Sequence, residues 1–306
     1  MCNSDHYKLP ERPLAELMRL ADRARAEGSG AHIDLCTITN AKSGACSEDC
    51  RFCAQSSHYF TGIKSYPLKS KRAMIEEASN AKVHGAHRFC IVTSGNELSS
   101  DELAVVADTI SEITSKIGVV MDASLGALSY DELMVLKKAG LSRYHHNIET
   151  SKNFYPKIVS THDFEQRVDT IKAAKRAGLE VCSGGIIGLG ESWNDRIDMA
   201  LLLKELNVDS VPINILNPIK GTPLENADLI SAEDALKTIA IFRMLLPDKV
   251  IKVAAGRETK FKDRQRDIFH AGANGILVGG YLTTRGRPVE EDMKLVKEIE
   301  NIWKNG

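Results

Sequence analysis

The chain repeats one pattern eight times, a short run rich in Val and Ile followed by an amphipathic stretch or a long loop. The runs are IDLCTIT (33–39), RFCIVT (88–93), VVMDAS (119–124), RYHHNIE (143–149), EVCSGGIIG (180–188), SVPINIL (210–216), VIKVAAG (250–256) and GILVGG (275–280). Short apolar runs without strict alternation read as strands covered on both faces, as parallel sheets are. The stretches between them, FEQRVDTIKAAKRAG and AEDALKTIAIFRMLL among them, repeat apolar residues at i, i+3 and i+4 and read as helices. Ser129 and Ser231 stand at helix starts, and Gly85, Gly140, Gly178 and Gly272 at helix ends. Eight strand–helix units predict a (β/α)8 TIM-type barrel over residues 33–300. No linker or low-complexity tract divides the chain, so residues 1–306 read as one domain, with an extra helix at 11–28 that closes the bottom of the barrel. A doubly wound open sheet is the alternative arrangement of the same elements.

In such a barrel the chemistry gathers at the C-terminal ends of the strands. Just beyond the first strand lies GACSEDCRFCAQ (44–55), with thiols at Cys46, Cys50 and Cys53. A four-iron cluster has four corners, so three thiolates leave one iron open to a small molecule. A zinc loop is the plainer alternative, but zinc sites more often use paired CxxC. The net charge of −1 and pI near 6.8 give no reason to expect nucleic acid or an anionic membrane as partner. No apolar signal segment or bilayer-length run is visible, so a cytoplasmic, reducing location is expected. The seven cysteines, clustered and odd in number, suit metal or redox chemistry there better than disulfides. Cys2, near the terminus, reads as incidental.

The CxxxCxxC spacing, with Phe52 just before the last cysteine, resembles the radical S-adenosylmethionine (SAM) superfamily. AKSGACSEDCRFCAQSSHY, RYHHNIETS, VCSGGIIGLGES, SVPIN with KGTPL, AAGRE, AGAN and YLTT, in that order between residues 33 and 295, resemble the biotin synthase family within it. The resemblance implies an enzyme that inserts sulfur between C6 and C9 of dethiobiotin, using a 4Fe–4S cluster and two molecules of SAM. It also implies a flavodoxin or ferredoxin as electron donor and a homodimer. By the same resemblance Cys46, Cys50 and Cys53 hold the SAM cluster. Phe52, Gly184, Gly185, Ile186, Ile187, Glu149 and Arg167 lie against SAM. Asn147 and Asn214 face the ureido ring or nearby SAM, and Lys42, Thr283 and Thr284 face the substrate carboxylate. Plainer roles compete: tight strand packing for the glycines, a solvated helix charge for Arg167 and loop capping for the threonines. His145 and His146 read as satisfied histidines of the core or barrel mouth.

The chain departs from the family at the second, sulfur-donating cluster. Three cysteines and an arginine hold it in the family, and those positions here read Cys90, Asp122, Cys182 and Lys252. Cys36 offers a third thiol from the first strand. The expectation is an auxiliary iron–sulfur cluster of unspecified nuclearity on Cys36, Cys90 and Cys182, with Asp122 and Lys252 beside it or paired with each other. The plainer alternative makes these cysteines small core hydrophobes. Rival functions are another radical SAM enzyme, a hydrogenase maturase or methylornithine synthase, and a non-enzymatic iron–sulfur carrier. A carrier normally saturates its cluster with protein ligands, which the three-cysteine loop does not.

Overall fold

The computed structural model describes residues 3–284 and 286–305; Cys2 lies outside them. Its strands are β1 (Asp34–Lys42), β2 (Arg88–Thr93), β3 (Val120–Ser124), β4 (Arg143–His145), β5 (Glu180–Cys182), β6 (Gly185–Ile187), β7 (Ser210–Ile215), β8 (Val250–Val253) and β9 (Gly275–Leu277). All pair in parallel, in the order β5-β4-β3-β2-β1-β9-β8-β7-β6. The pairing of Cys182 with Ser210 joins β5 to β7 and closes the ring. Because β5 and β6 are two halves of one barrel position, the result is the eight-position (β/α)8 barrel that the sequence pattern predicts.

The two-residue period of each strand sorts its side chains. Leu35, Phe89, Ile91, Met121, Tyr144, Val181, Val211, Ile251 and Ile276 point outward and form the main core with the surrounding helices. The alternate residues face the lumen. Cys36, Cys90, Ala254 and Leu277 make a separate apolar cluster there with Ile38 and Val92. Beside it Asp34, Arg88, Asp122, Arg143 and Lys252 form a charged floor.

Helix ends follow the sequence signals. Ser129 and Ser231 cap their helices through the backbone N–H of Glu132 and Asp234. Gly85, Gly140, Gly178 and Gly272 all take positive φ just past helix ends, where a Cβ would be strained. The first α-helix, Leu14–Ser29, starts later than expected because Pro13 occupies its cap position. It packs against the helices Ala232–Leu245 and Asp267–His270. Leu17 and Ala21 are fully buried, and Gly28 meets the loop that leads into β8, where a Cβ would lie 2.1 Å from the Pro247 carbonyl oxygen.

The strands expected at 250–256 and 275–280 end at Val253 and Leu277, and two others are cut short for one shared reason. The expected strand 143–149 stops at His145, and the expected strand 180–188 breaks at Ser183–Gly184. The backbone after β4 crosses onto this break. Ile148 N–H donates to Gly184 O at 3.0 Å, and Ile186 N–H donates to Glu149 O at 2.8 Å. Glu149 makes the turn at φ 66°.

The last helix, Val289–Asn305, is tied to the barrel by a buried ion pair. Arg257, fully buried, donates to Asp292 at 2.5 Å, to Gln265 at 2.8 Å and to Leu277 O at 3.2 Å. Asp292→Ala removes the fully buried partner of this guanidinium, leaving Glu258 at 3.4 Å, and should cost about 3 kcal/mol in urea unfolding, with Asp292→Asn costing less.

Candidate functional site

The cysteine loop leaves β1 through two residues of positive φ, Gly44 (72°) and Ala45 (50°). A Cβ on Gly44 would lie 2.8 Å from that of Ser65, so the turn needs glycine. The loop closes on itself through Cys46 N–H to Gln55 O (3.1 Å), Ser57 N–H to Cys46 O (2.8 Å) and Cys53 N–H to Cys50 O (2.9 Å). Its two acids fasten it to the segment after β4. Asp49 accepts from the backbone N–H of Ser160 (2.9 Å) and Thr161 (3.2 Å) and from the Ser160 hydroxyl. Glu48 meets His162 Nδ1 at 2.5 Å, and Arg51 N–H donates to Ile158 O at 3.0 Å.

These anchors hold Cys46, Cys50 and Cys53 on the wall of a cavity of about 310 Å³ in the barrel mouth. The same cavity is lined by Phe52, Asn147, Glu149, Arg167 and Asn214, and by Cys36, Cys90, Cys182 and Lys252 from the lumen. A neighbouring cavity of about 420 Å³ shares Phe52, Cys53 and Asn214 and adds Ile186, Thr283 and Thr284. Fifteen of the positions assigned to a metal, cofactor or substrate from the sequence therefore stand around two adjoining cavities.

The others are placed differently. Lys42 turns to Glu102, pairs with it at 2.7 Å and lines neither cavity. Ile187 is fully buried in the main core. Gly184 and Gly185 serve backbone packing: their Cβ atoms would lie 2.0 Å from Pro212 O and 2.2 Å from Glu149 O. Asp122 sits behind the cavity wall. The expected pairing of Asp122 with Lys252 is replaced by a crossed one. Asp122 accepts two bonds from Arg88 Nε (3.1 and 3.0 Å) and meets His145 Nε2 at 3.1 Å, while Lys252 Nζ stands 2.8 Å from Asp34. Asp122 and Lys252 are thus each neutralised by a different group, Asp122 by Arg88 and Lys252 by Asp34.

The cavity stabilises some charges and opposes others. Burial pushes the Cys53 thiol up to about 11 and Cys50 higher still, with neighbouring cysteines and Glu149 adding to the effect. Thiolates here need added positive charge, which iron supplies, so the donor set fits a cluster. Among the described residues no three His, Cys, Asp or Glu side chains are placed to hold a single metal ion. Glu149 is raised by burial, which Arg167 and Asn147 only partly oppose. Arg167 is no solvated helix charge: it donates to Tyr155 Oη (2.6 Å), Asn147 O (3.0 Å) and His162 Nε2 (2.9 Å). Deeper in, burial pushes Cys36 up to about 12 and Cys90 well above its usual value. Cys182 behaves oppositely. Burial raises it, but His145, Lys252 and Arg143 outweigh this and bring it down to about 7. Lys252 stays protonated: burial lowers it, and Cys36, Asp34 and Cys182 more than compensate. Its Nζ has no aligned hydrogen-bond acceptor among the described residues despite the nearby carboxylate. An anionic sulfur-rich group in the lumen would satisfy it.

The sequence reading missed His162 altogether and gave His145 no part beyond a satisfied histidine. His145, held by Asp122, faces Cys182 and is raised to about 9, burial opposing and the Cys182 and Asp122 charges prevailing. His162 joins Glu48 across 114 residues, a pairing that no local spacing signals.

A closed parallel barrel with an open three-thiol loop at its mouth defines a radical SAM barrel. The family model described as the radical SAM superfamily matches residues 41–215, and that of the biotin and thiamin synthesis associated domain matches residues 212–301. The chain is 49% identical over 292 residues to the biotin synthase of Pelotomaculum thermopropionicum, covering 95% of this chain and 91% of that one. It is 52% identical over 273 residues to that of Thermotoga neapolitana, covering 89% and 98%. Among solved structures, methylornithine synthase superposes with a TM-score of 0.84 at 19% identity, covering 97% of this chain and 92% of that one, a likeness of fold. The chain belongs to the biotin synthase family.

The loop anchor is testable by pH. Burial raises Asp49, but bonds from Ser160 and Thr161 outweigh it and lower it from 3.8 to about 2. A carboxyl lowered on folding stabilises above its unfolded value, and that contribution is lost as pH falls through the folded value. The stability gap between wild type and Asp49→Asn should be full above about pH 4 and shrink toward pH 2, read by urea unfolding of the metal-free chain across that range.

Proposed function

We propose that this barrel forms biotin by inserting sulfur between C6 and C9 of dethiobiotin. The observation that carries the reading is a single cavity running from the three-cysteine loop at the mouth to three further cysteines in the lumen. Cys46, Cys50 and Cys53 hold a 4Fe–4S cluster, leaving one iron for SAM. Bound there, the cluster with SAM would supply the radical chemistry needed at an unactivated carbon.

The chain's own residues bind and orient. The buried Glu149 carboxylate accepts from the SAM ribose hydroxyls, and Arg167 stands ready for its carboxylate. Asn147 is fixed by Gly184 N–H to its Oδ1 (3.2 Å), and Asn214 by Ala255 N–H to its Oδ1 (3.1 Å) and by its own donation to Gly185 O (3.3 Å). Each amide keeps donor and acceptor capacity that matches a ureido ring. Thr283 and Thr284, which line the second cavity, offer hydroxyls to the substrate carboxylate. Lys42, committed to Glu102, has no part in this reading. Ile38, Val92 and Leu277 line the passage between and exclude water from it.

In the lumen, Cys36, Cys90 and Cys182 hold the auxiliary sulfur-donating cluster. Lys252 and His145 would compensate the negative charge of such a cluster, and Asp122 orients His145. A flavodoxin or ferredoxin supplies electrons, and the enzyme works as a cytoplasmic homodimer.

Anaerobic incubation with dethiobiotin, SAM and reductant tests the reading. Wild type should release 5′-deoxyadenosine and biotin, detected by mass. Replacing Cys46, Cys50 and Cys53 by Ala should abolish both. Replacing Cys36, Cys90 and Cys182 by Ala should retain 5′-deoxyadenosine and lose biotin. Normal biotin yield from the second variant refutes the auxiliary cluster, and wild type that cleaves SAM without making biotin refutes the substrate.

A further inference from the structure

His162 lies outside both cavities, between two charged groups that line the first, Glu48 of the cysteine loop and Arg167. Its side chain is only 4% exposed. The two contacts fix its tautomer. Arginine can only donate, so Nε2, at 2.9 Å from Arg167 Nη2, carries the lone pair. The ring proton is then on Nδ1 and is donated to Glu48 at 2.5 Å. Arg167 is held on its other sides by Tyr155 Oη and Asn147 O, so its direction is set by three acceptors.

From this juxtaposition we propose that His162 is a positioning residue for SAM, a neutral imidazole that couples the cysteine loop to the guanidinium facing the methionine carboxylate. The proposal rests on the functional reading above. One ring ties two parts of a single binding event, the cluster loop that presents the open iron and the cation that meets the same ligand's carboxylate. A leucine of similar bulk fills the space but leaves Arg167 with an unspent donor and Glu48 without this partner. Glutamine restores one donor and one acceptor at comparable reach.

The test compares wild type, His162→Leu and His162→Gln, each reconstituted anaerobically, with iron content measured first. Labelled SAM in equilibrium dialysis gives Kd, and 5′-deoxyadenosine release without dethiobiotin gives KM and kcat. In the metal-free chains, alkylation of Cys46, Cys50 and Cys53 is timed by peptide mass. The leucine variant should load its cluster, weaken SAM on the order of tenfold in Kd and KM with kcat within about threefold, and alkylate faster at the loop. The glutamine variant should stay within about threefold of wild type on every readout. Wild-type Kd and alkylation rate in the leucine variant overturn the proposal. So does equal impairment of both variants, which would mark a purely structural position. Wild type that binds no SAM overturns this inference and the functional reading together, whereas wild type that binds SAM but makes no biotin bears on the substrate alone.

Discussion

Three cations and three carboxylates meet at the floor of the barrel, and their mutual neutralisation lets a parallel barrel carry a polar lumen. Arg88 bridges Asp122 and Glu180, Arg143 bridges Asp34 and Glu180, and Lys252 faces Asp34. An unpaired charge at this depth would cost several kcal/mol. Paired, the charges form a rigid base under three cysteines. They also divide those cysteines electrostatically: Cys36 and Cys90 are held as thiols by burial, while Cys182 sits beside a histidine that favours its thiolate. The cluster proposed to occupy this space would thus find one sulfur ready to ligate and a lysine ammonium ready to meet its charge.

The mouth uses a different principle. The two asparagines there are aimed by backbone rather than by charge balance. Gly184 and Gly185 bring strands so close that Asn147 and Asn214 can bond main-chain groups, which fixes their amides while leaving part of each free. The glycines act on a ligand at second hand, through the residues they let approach.

Much of this was legible in the sequence, and the reason is periodicity. Strand runs, helix faces, serine caps and terminal glycines are local signals, and each unit repeats them. The cysteine loop was legible because its three ligands lie within one short segment. What the sequence hid are pairings between distant residues. Lys42 looks available until the fold sets Glu102 beside it, and Asp122 and Lys252 look like partners until Arg88 and Asp34 arrive. His162 gives no local sign because its two partners come from the cysteine loop and from the following helix. Ile187 looked like part of a contact run, but alternation along β6 sends it outward, away from the ligand side that Ile186 takes.

The break between β5 and β6 gives the barrel two storeys. Cys182 belongs to the lower one, paired with His145 and Ser210, whereas Gly185–Ile187 register with Ile213–Ile215 above. With the ladder interrupted between them, the side chains of the lower storey are anchored independently of the strand segment above. A substitution around Cys182 therefore need not shift the strand pairing that carries Ile186 and Asn214.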